Sequence, residues 1–140
     1  MNLAFHKDDD SDLPVDIVVV DDDQLTLEMV SWIFRDTPST HRLFSDPECA
    51  LASLCESMPG VLIVDYYMPT QNGIDFISRL SAMTDTKACS IYLCSALDLQ
   101  KDQRAQLESM GANVLDKAEI CNRSVLRGLV ESSQCVTGNK

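Results

Sequence analysis

The chain has 140 residues, and its 22 acidic residues against 11 basic ones give a formal net charge of -11. At this length one core can bury roughly two-thirds of the unfolded surface, so a single domain is predicted. The charge argues against the chain gripping nucleic acid or an anionic membrane by itself, and no apolar stretch approaches the ~20 residues that span a bilayer.

Residues 1–13 are polar and acidic, with Asp8, Asp9, Asp10 and Asp12 crowded together, and are predicted to form a disordered acidic arm. An EF-hand reading of that arm fails, because the sixth position would be Leu13 rather than Gly and the twelfth Val19 rather than Glu. There is no basic-then-apolar secretory pattern, so a cytoplasmic location is expected.

Folded structure is predicted from residue 14 to 134, with residues 135–140 as a tail or the start of a linker. Short apolar runs recur there: "DIVVV", "GVLIVD", "CSIYLCS" and "NVLD". Runs without polar alternation suit strands covered on both faces of a parallel sheet.

The segments between them carry helical signals. Leu25, Met29, Val30 and Ile33 recur at spacings of three and four, which predicts an amphipathic helix ending near Pro38. "RLFS" is a short second strand, and Asp46 followed by Pro47 is a helix start. That helix closes at Pro59 and Gly60. Ile74, Ile77 and Leu80 place one face of a third helix on the core, Gly111 stops a fourth, and "CNRSVLRGLVESS" is a fifth, weakened by Gly128. Strand and helix alternate five times, so the predicted fold class is α/β: a doubly wound, five-stranded parallel sheet flanked by five helices.

The six cysteines form no C-x-x-C pair, and several lie within apolar runs; buried, reduced thiols are expected. Trp32 and Phe34 are expected to pack or cover a surface. His6 and His41 have no Cys or Asp partners at ligand spacing, so loop or surface positions are expected for both.

Open parallel sheets bind ligands beyond the carboxyl ends of their strands. At that rim this sequence places Asp21, Asp22 and Asp23 after strand one, Asp65 after strand three, Ser95 after strand four, and Asp116 and Lys117 after strand five. Crowded carboxylates repel one another unless a cation neutralises them. A hard cation such as Mg²⁺ suits such a set and leaves positions for phosphate oxygens, which a lysine and a hydroxyl would also meet. A central carboxylate could then be the nucleophile. Asp23 is assigned instead to the start of the first helix.

These residues resemble a two-component response-regulator receiver domain, in the flavodoxin-like (βα)5 arrangement. The pattern D-x-x-M-P-x-x-[DN]-G matches "DYYMPTQNG", with Asp65, Met68, Pro69, Asn72 and Gly73. The resemblance implies Asp65 as phosphoacceptor, with Lys117 and Ser95 as its catalytic partners. It implies Mg²⁺ held by Asp21, Asp22, Asp65 and the Tyr67 backbone carbonyl. The implied partners are a sensor histidine kinase or phosphotransfer protein on one side and an output domain or partner protein on the other. The face of helix four, strand five and helix five would carry the output contacts or a homodimer.

Several positions depart from that pattern. Val114 and Leu115 stand where receivers usually have an aromatic residue, and Gly111 precedes Lys117 by six residues rather than the usual seven. Ala118 replaces the usual proline, so a trans bond after Lys117 is expected. Bulk at Tyr67 and Leu97 predicts slow loss of a phosphoryl group. Two other readings stay open: a Mg²⁺-dependent phosphohydrolase, although its second acid would fall on Tyr67, and a degenerate receiver acting only as a binding module.

Overall fold

A computed structural model describes residues 16–96 and 98–138. The acidic arm and Leu97 lie outside the described residues. Five strands run β1 (Ile17–Val20), β2 (His41–Phe44), β3 (Val61–Asp65), β4 (Ser90–Ser95) and β5 (Ala112–Asp116). They form one parallel sheet in the order β2-β1-β3-β4-β5, with Ile17 beside Val61, Asp65 beside Cys94 and Ser95 beside Asp116. Between them lie α1 (Gln24–Phe34), α2 (Pro47–Glu56), α3 (Gly73–Met83) and α4 (Lys101–Ser109), and α5 (Arg123–Gly138) follows β5. The predicted α/β architecture is the observed one.

Side chains of successive strand residues point to opposite faces, and the two cores follow from that. Val18, Val20, Leu62, Val64, Ile91 and Leu93 pack against α2, α3 and α4. Ile17, Val19, Val61, Ile63, Cys94 and Leu115 pack against α1 and α5. Every residue of β1 and β3 is buried, which is why those runs read as unbroken hydrophobics.

The caps follow the sequence. Asp46 accepts a hydrogen bond from the Glu48 N–H at 3.1 Å, with Pro47 in the first turn of α2. Asn72 caps α3 by accepting from Asp75 N–H at 2.9 Å. Gly111 has a φ of 73°, the left-handed conformation that favours glycine after a helix. The hydroxyl and guanidinium groups of Thr40 and Arg42 both bind Asp16, and Arg42 also reaches Ser53 and the Ser57 carbonyl, fastening edge strand β2 to α2.

Three expectations are corrected. On α1 the buried residues are Thr26, Leu27, Val30, Ile33 and Phe34. Leu25 and Met29 instead join Trp32 in an exposed stripe, with the Arg35 guanidinium 3.9 Å above the Trp32 ring. Both sets have helical spacing, so periodicity alone did not choose between them. The thiols of Cys89 and Cys94 are buried, but Cys49 and Cys55 lie on the exposed side of α2. Finally, α5 passes through Gly128 and continues to Gly138, beyond the predicted end at Ser133; a single helical glycine costs only ~1 kcal/mol and the segment holds no proline.

Candidate functional site

Order reverses between β1 and β3, and their carboxyl ends open a crevice at that point. Asp21 and Asp65 both stand there, 1% and 7% exposed, with Asp22 exposed beside them. One carboxylate oxygen each from Asp21, Asp22 and Asp65 lie within 4.8 Å of one another. The Lys117 ammonium donates to Asp21 Oδ2 at 2.7 Å and to Asp65 Oδ1 at 2.9 Å.

Each side chain is held by local chain geometry. The Asp21 N–H donates to the Phe44 carbonyl, and Asp21 Oδ1 accepts the Asp23 N–H at 2.9 Å, fixing the carboxylate plane. Lys117 opens a single 3-10 turn, Lys117–Glu119, capped by Asp116, whose Oδ1 accepts the Ala118 N–H. The Lys117–Ala118 bond is trans, as expected without proline.

Burial raises the pKa of the Asp65 carboxyl; Lys117 opposes the rise, while Asp21 and Asp22 add to it. Burial works against the Lys117 charge, but its bonds to Asp21 and Asp65 outweigh that and hold the ammonium protonated far above neutrality. The ammonium thus pairs with two of the three clustered carboxylates, and Asp22 adds a third negative charge beside them. That leaves an excess of hard oxygen donors, a set that fits Mg²⁺ far better than zinc or a softer ion.

The other predicted residues fall around this centre. Ser95 ends β4 and is buried beside the β3 terminus. The Tyr67 ring is 59% exposed and meets Tyr66 edge-on, with centroids 5.0 Å apart. Asp23 is spent on its own helix: it accepts the Leu25 N–H at 3.1 Å and the Thr26 hydroxyl at 3.0 Å.

Two features of the loop after Asp65 were not evident from sequence. A Cβ at Gly73 would sit 2.5 Å from the Asp65 carbonyl oxygen and 2.5 Å from Leu93 Cδ1, so the loop closes on the acid only with glycine there. The Tyr66 hydroxyl lies 3.1 Å from Gln103 Nε2 of α4, a link between residues 37 apart that no local pattern could reveal.

Comparison with known proteins agrees with this geometry. The sequence model of the response regulator receiver domain matches residues 17–131. A protein-glutamate methylesterase/protein-glutamine glutaminase of Pseudomonas savastanoi pv. phaseolicola is 28% identical over 104 residues, which cover 73% of this chain and 28% of that protein. The probable transcriptional regulatory protein TcrX of Mycobacterium tuberculosis is 28% identical over 114 residues, 81% of this chain and 48% of that protein. The chain thus spans less than half the length of either relative.

Among solved structures, the Vibrio cholerae chemotaxis protein CheY4 superposes with a TM-score of 0.73 at 21% identity, covering 86% of this chain and 98% of that one. The signal receiver domain of an HD domain-containing protein from Pseudomonas fluorescens gives 0.74 at 16% identity, covering 91% and 99%. With a family match running from the first residue of β1 into α5, this chain belongs to the response-regulator receiver domains.

Proposed function

We propose that Asp65 accepts a phosphoryl group and that the domain conveys the resulting change of state to a partner or output domain. The observation that carries this reading is the Lys117 ammonium bridging the buried Asp21 and Asp65 carboxylates, with Asp22 alongside. One Asp65 oxygen attacks phosphorus in line. The donor's bond to phosphorus breaks as the new P–O bond forms, and the leaving group keeps the electron pair. The donor is the histidine of a sensor kinase or phosphotransfer protein, or a small acyl phosphate.

Lys117 offsets negative charge on the transferring oxygens, and the hydroxyl of Ser95, buried at the end of β4, bonds one of them after transfer. Asp21, Asp22, Asp65 and the Tyr67 carbonyl would hold Mg²⁺, which supplies charge neutralisation for a dianionic group among carboxylates. Exposed Leu25, Met29 and Trp32 form an apolar stripe on α1, which begins right after Asp23. That stripe adjoins the acid cluster, which suits a protein donor resting on α1 while its histidine reaches Asp65. The face of α4, β5 and α5 is assigned to output contacts or a homodimer.

The receiver reading includes no substrate-hydrolysing role; the phosphohydrolase alternative would need an acid two positions after Asp65, where Tyr67 stands. The location proposed is the cytoplasm, where kinase and phosphodonors are found. No helix among the described residues is long and apolar enough to cross a membrane.

Incubation with Mg²⁺ and acetyl phosphate, followed by intact mass, tests the reading with Asp65→Asn as control. A single phosphoryl adduct that is absent from the variant and persists for minutes is expected. No adduct would leave only a binding module, and continuous turnover of phosphate esters would favour the hydrolase.

A further inference from the structure

Tyr66 directly follows Asp65, and its backbone has little freedom. Its N–H donates to the Cys94 carbonyl at 2.8 Å, and its own carbonyl accepts the Gly73 N–H at 2.8 Å. Its ring packs against the core on the α2, α3 and α4 side of the sheet. The phenol is thus a rigid arm from the end of β3 to α4, where its hydroxyl meets Gln103 Nε2 at 3.1 Å.

Gln103 has a second task. Its Oε1 accepts the N–H of Gln100, the N-cap of α4, at 2.9 Å. One amide group therefore joins the start of α4 to the residue next to Asp65. The helix itself is held lightly. Leu107 is its one buried residue, Gln103 is half-buried, and the other positions are exposed. A helix anchored by so little apolar area opens locally at low cost, so a single hydrogen bond at its first turn matters.

We propose that the Tyr66–Gln103 hydrogen bond is a resting-state clamp on the N-terminus of α4, released when an anionic group is loaded on Asp65. This deepens the phosphoacceptor reading and rests on it. A loaded Asp65 carries added charge and three more oxygens at a residue peptide-bonded to Tyr66. The Lys117 ammonium must then be shared with the new oxygens, and the turn after Asp65 readjusts. Because the Tyr66 ring is rigid, a small rotation of that turn is magnified at its hydroxyl, and hydrogen bonds fail quickly with distance and angle. Loss of the bond frees the Gln103 amide and loosens the first turn of α4. Linkage runs both ways: removing the clamp favours the loaded state by the factor the clamp contributed at rest.

Tyr66→Phe removes only the hydroxyl and keeps the packed ring. Two measurements test the clamp, with beryllium fluoride and Mg²⁺ as the loading probe. Without the probe, amide hydrogen exchange of residues 101–104 is expected to quicken in Tyr66→Phe roughly two- to tenfold, the factor a neutral hydrogen bond supplies. Binding of beryllium fluoride in saturating Mg²⁺ is expected to tighten by a similar factor. Gln103→Leu, which also removes the cap on the Gln100 N–H, should show both effects at least as strongly, and adding Tyr66→Phe to it should change little further. Unchanged exchange at residues 101–104 in Tyr66→Phe, weaker binding of the probe, or full additivity of the two substitutions would each overturn the clamp. Failure of the wild-type chain to bind beryllium fluoride would instead refute the phosphoacceptor reading, and the exchange measurement would still decide whether the clamp exists.

Discussion

Replacing Asp65 with Asn should make the metal-free protein more stable, and the site geometry fixes the sign. Asp65 and Asp21 present oxygens within 4.8 Å, a repulsion of ~3.5 kcal/mol at an effective dielectric constant of ~20. Exposed Asp22 adds a smaller amount, and burying a carboxylate costs several kcal/mol. Lys117, 2.9 Å from Asp65, returns ~6 kcal/mol on the same scale. Asn keeps an oxygen that can accept the Lys117 N–H, so part of that return survives while repulsion and most of the burial cost vanish. A net gain of about 1–2 kcal/mol is expected, or about 3–6 °C in Tm for a domain of this size.

The pH dependence has a definite direction. The Asp65 carboxyl titrates above its ordinary value of 3.8, so between that value and its folded pKa the native state holds more protons than the unfolded one. Stability contributed by this group therefore falls as pH rises through that window. The advantage of Asp65→Asn should be absent near pH 3 and full at pH 7. Urea unfolding of both proteins in EDTA, repeated across that range, measures it. With Mg²⁺ the order should narrow or reverse, since the wild type keeps its full donor set. A variant less stable than the wild type at pH 7 in EDTA would refute the argument.

Gly73→Ala places a Cβ 2.5 Å from the Asp65 carbonyl oxygen; a loss of about 2 kcal/mol in urea unfolding is expected, together with a reduced yield of the acetyl phosphate adduct. Arg42→Ala removes bonds to Asp16, Ser53 and the Ser57 carbonyl, but the Arg42 and Asp16 side chains are 26% and 28% exposed, so the loss should be only about 1 kcal/mol, partly screened by salt. Maleimide labelling followed by peptide mass mapping should modify Cys49 and Cys55 within minutes at pH 7.5. Cys89 and Cys94, buried and with thiols pushed up to about 12, should stay unlabelled until the protein unfolds.

The sheet and the acid cluster were legible for one reason. A buried parallel strand is an unbroken apolar run, and the first polar residue after it marks its carboxyl end, so the sequence itself indicated which residues share a rim. Asp21, Asp65, Ser95 and Lys117 stand out that way, and Asp46 declares its helix through a side chain that caps locally; the Asn72 cap of α3 emerges only in the structure. What escaped is what needs a third dimension. On α1, Leu25 and Met29 obey the same period as Val30 and Ile33, and only the direction of the sheet decides which stripe is covered. Tyr66 fills an unspecified position of the motif, and its role shows only when α4 is brought beside it.

The two features that escaped bear on the one that did not. An acid cluster with a single ammonium is a chemical site, but nothing in it specifies who delivers a phosphoryl group or who learns of its arrival. The exposed stripe on α1 starts beside Asp22 on one side of the crevice, and the Tyr66 hydroxyl leads from Asp65 to α4 on the other. The α1 stripe and α4 thus lie on opposite faces of the sheet, since α1 packs on the face of Ile17 and Val19 and α4 on that of Val18 and Val20, whereas α5 shares the α1 face. A partner resting on α1 leaves α4 free, so delivery need not hinder readout. Substitution of Trp32 should accordingly alter the rate of transfer from a protein donor while leaving labelling by acetyl phosphate unchanged, whereas Tyr66→Phe should alter the response of α4 with either donor.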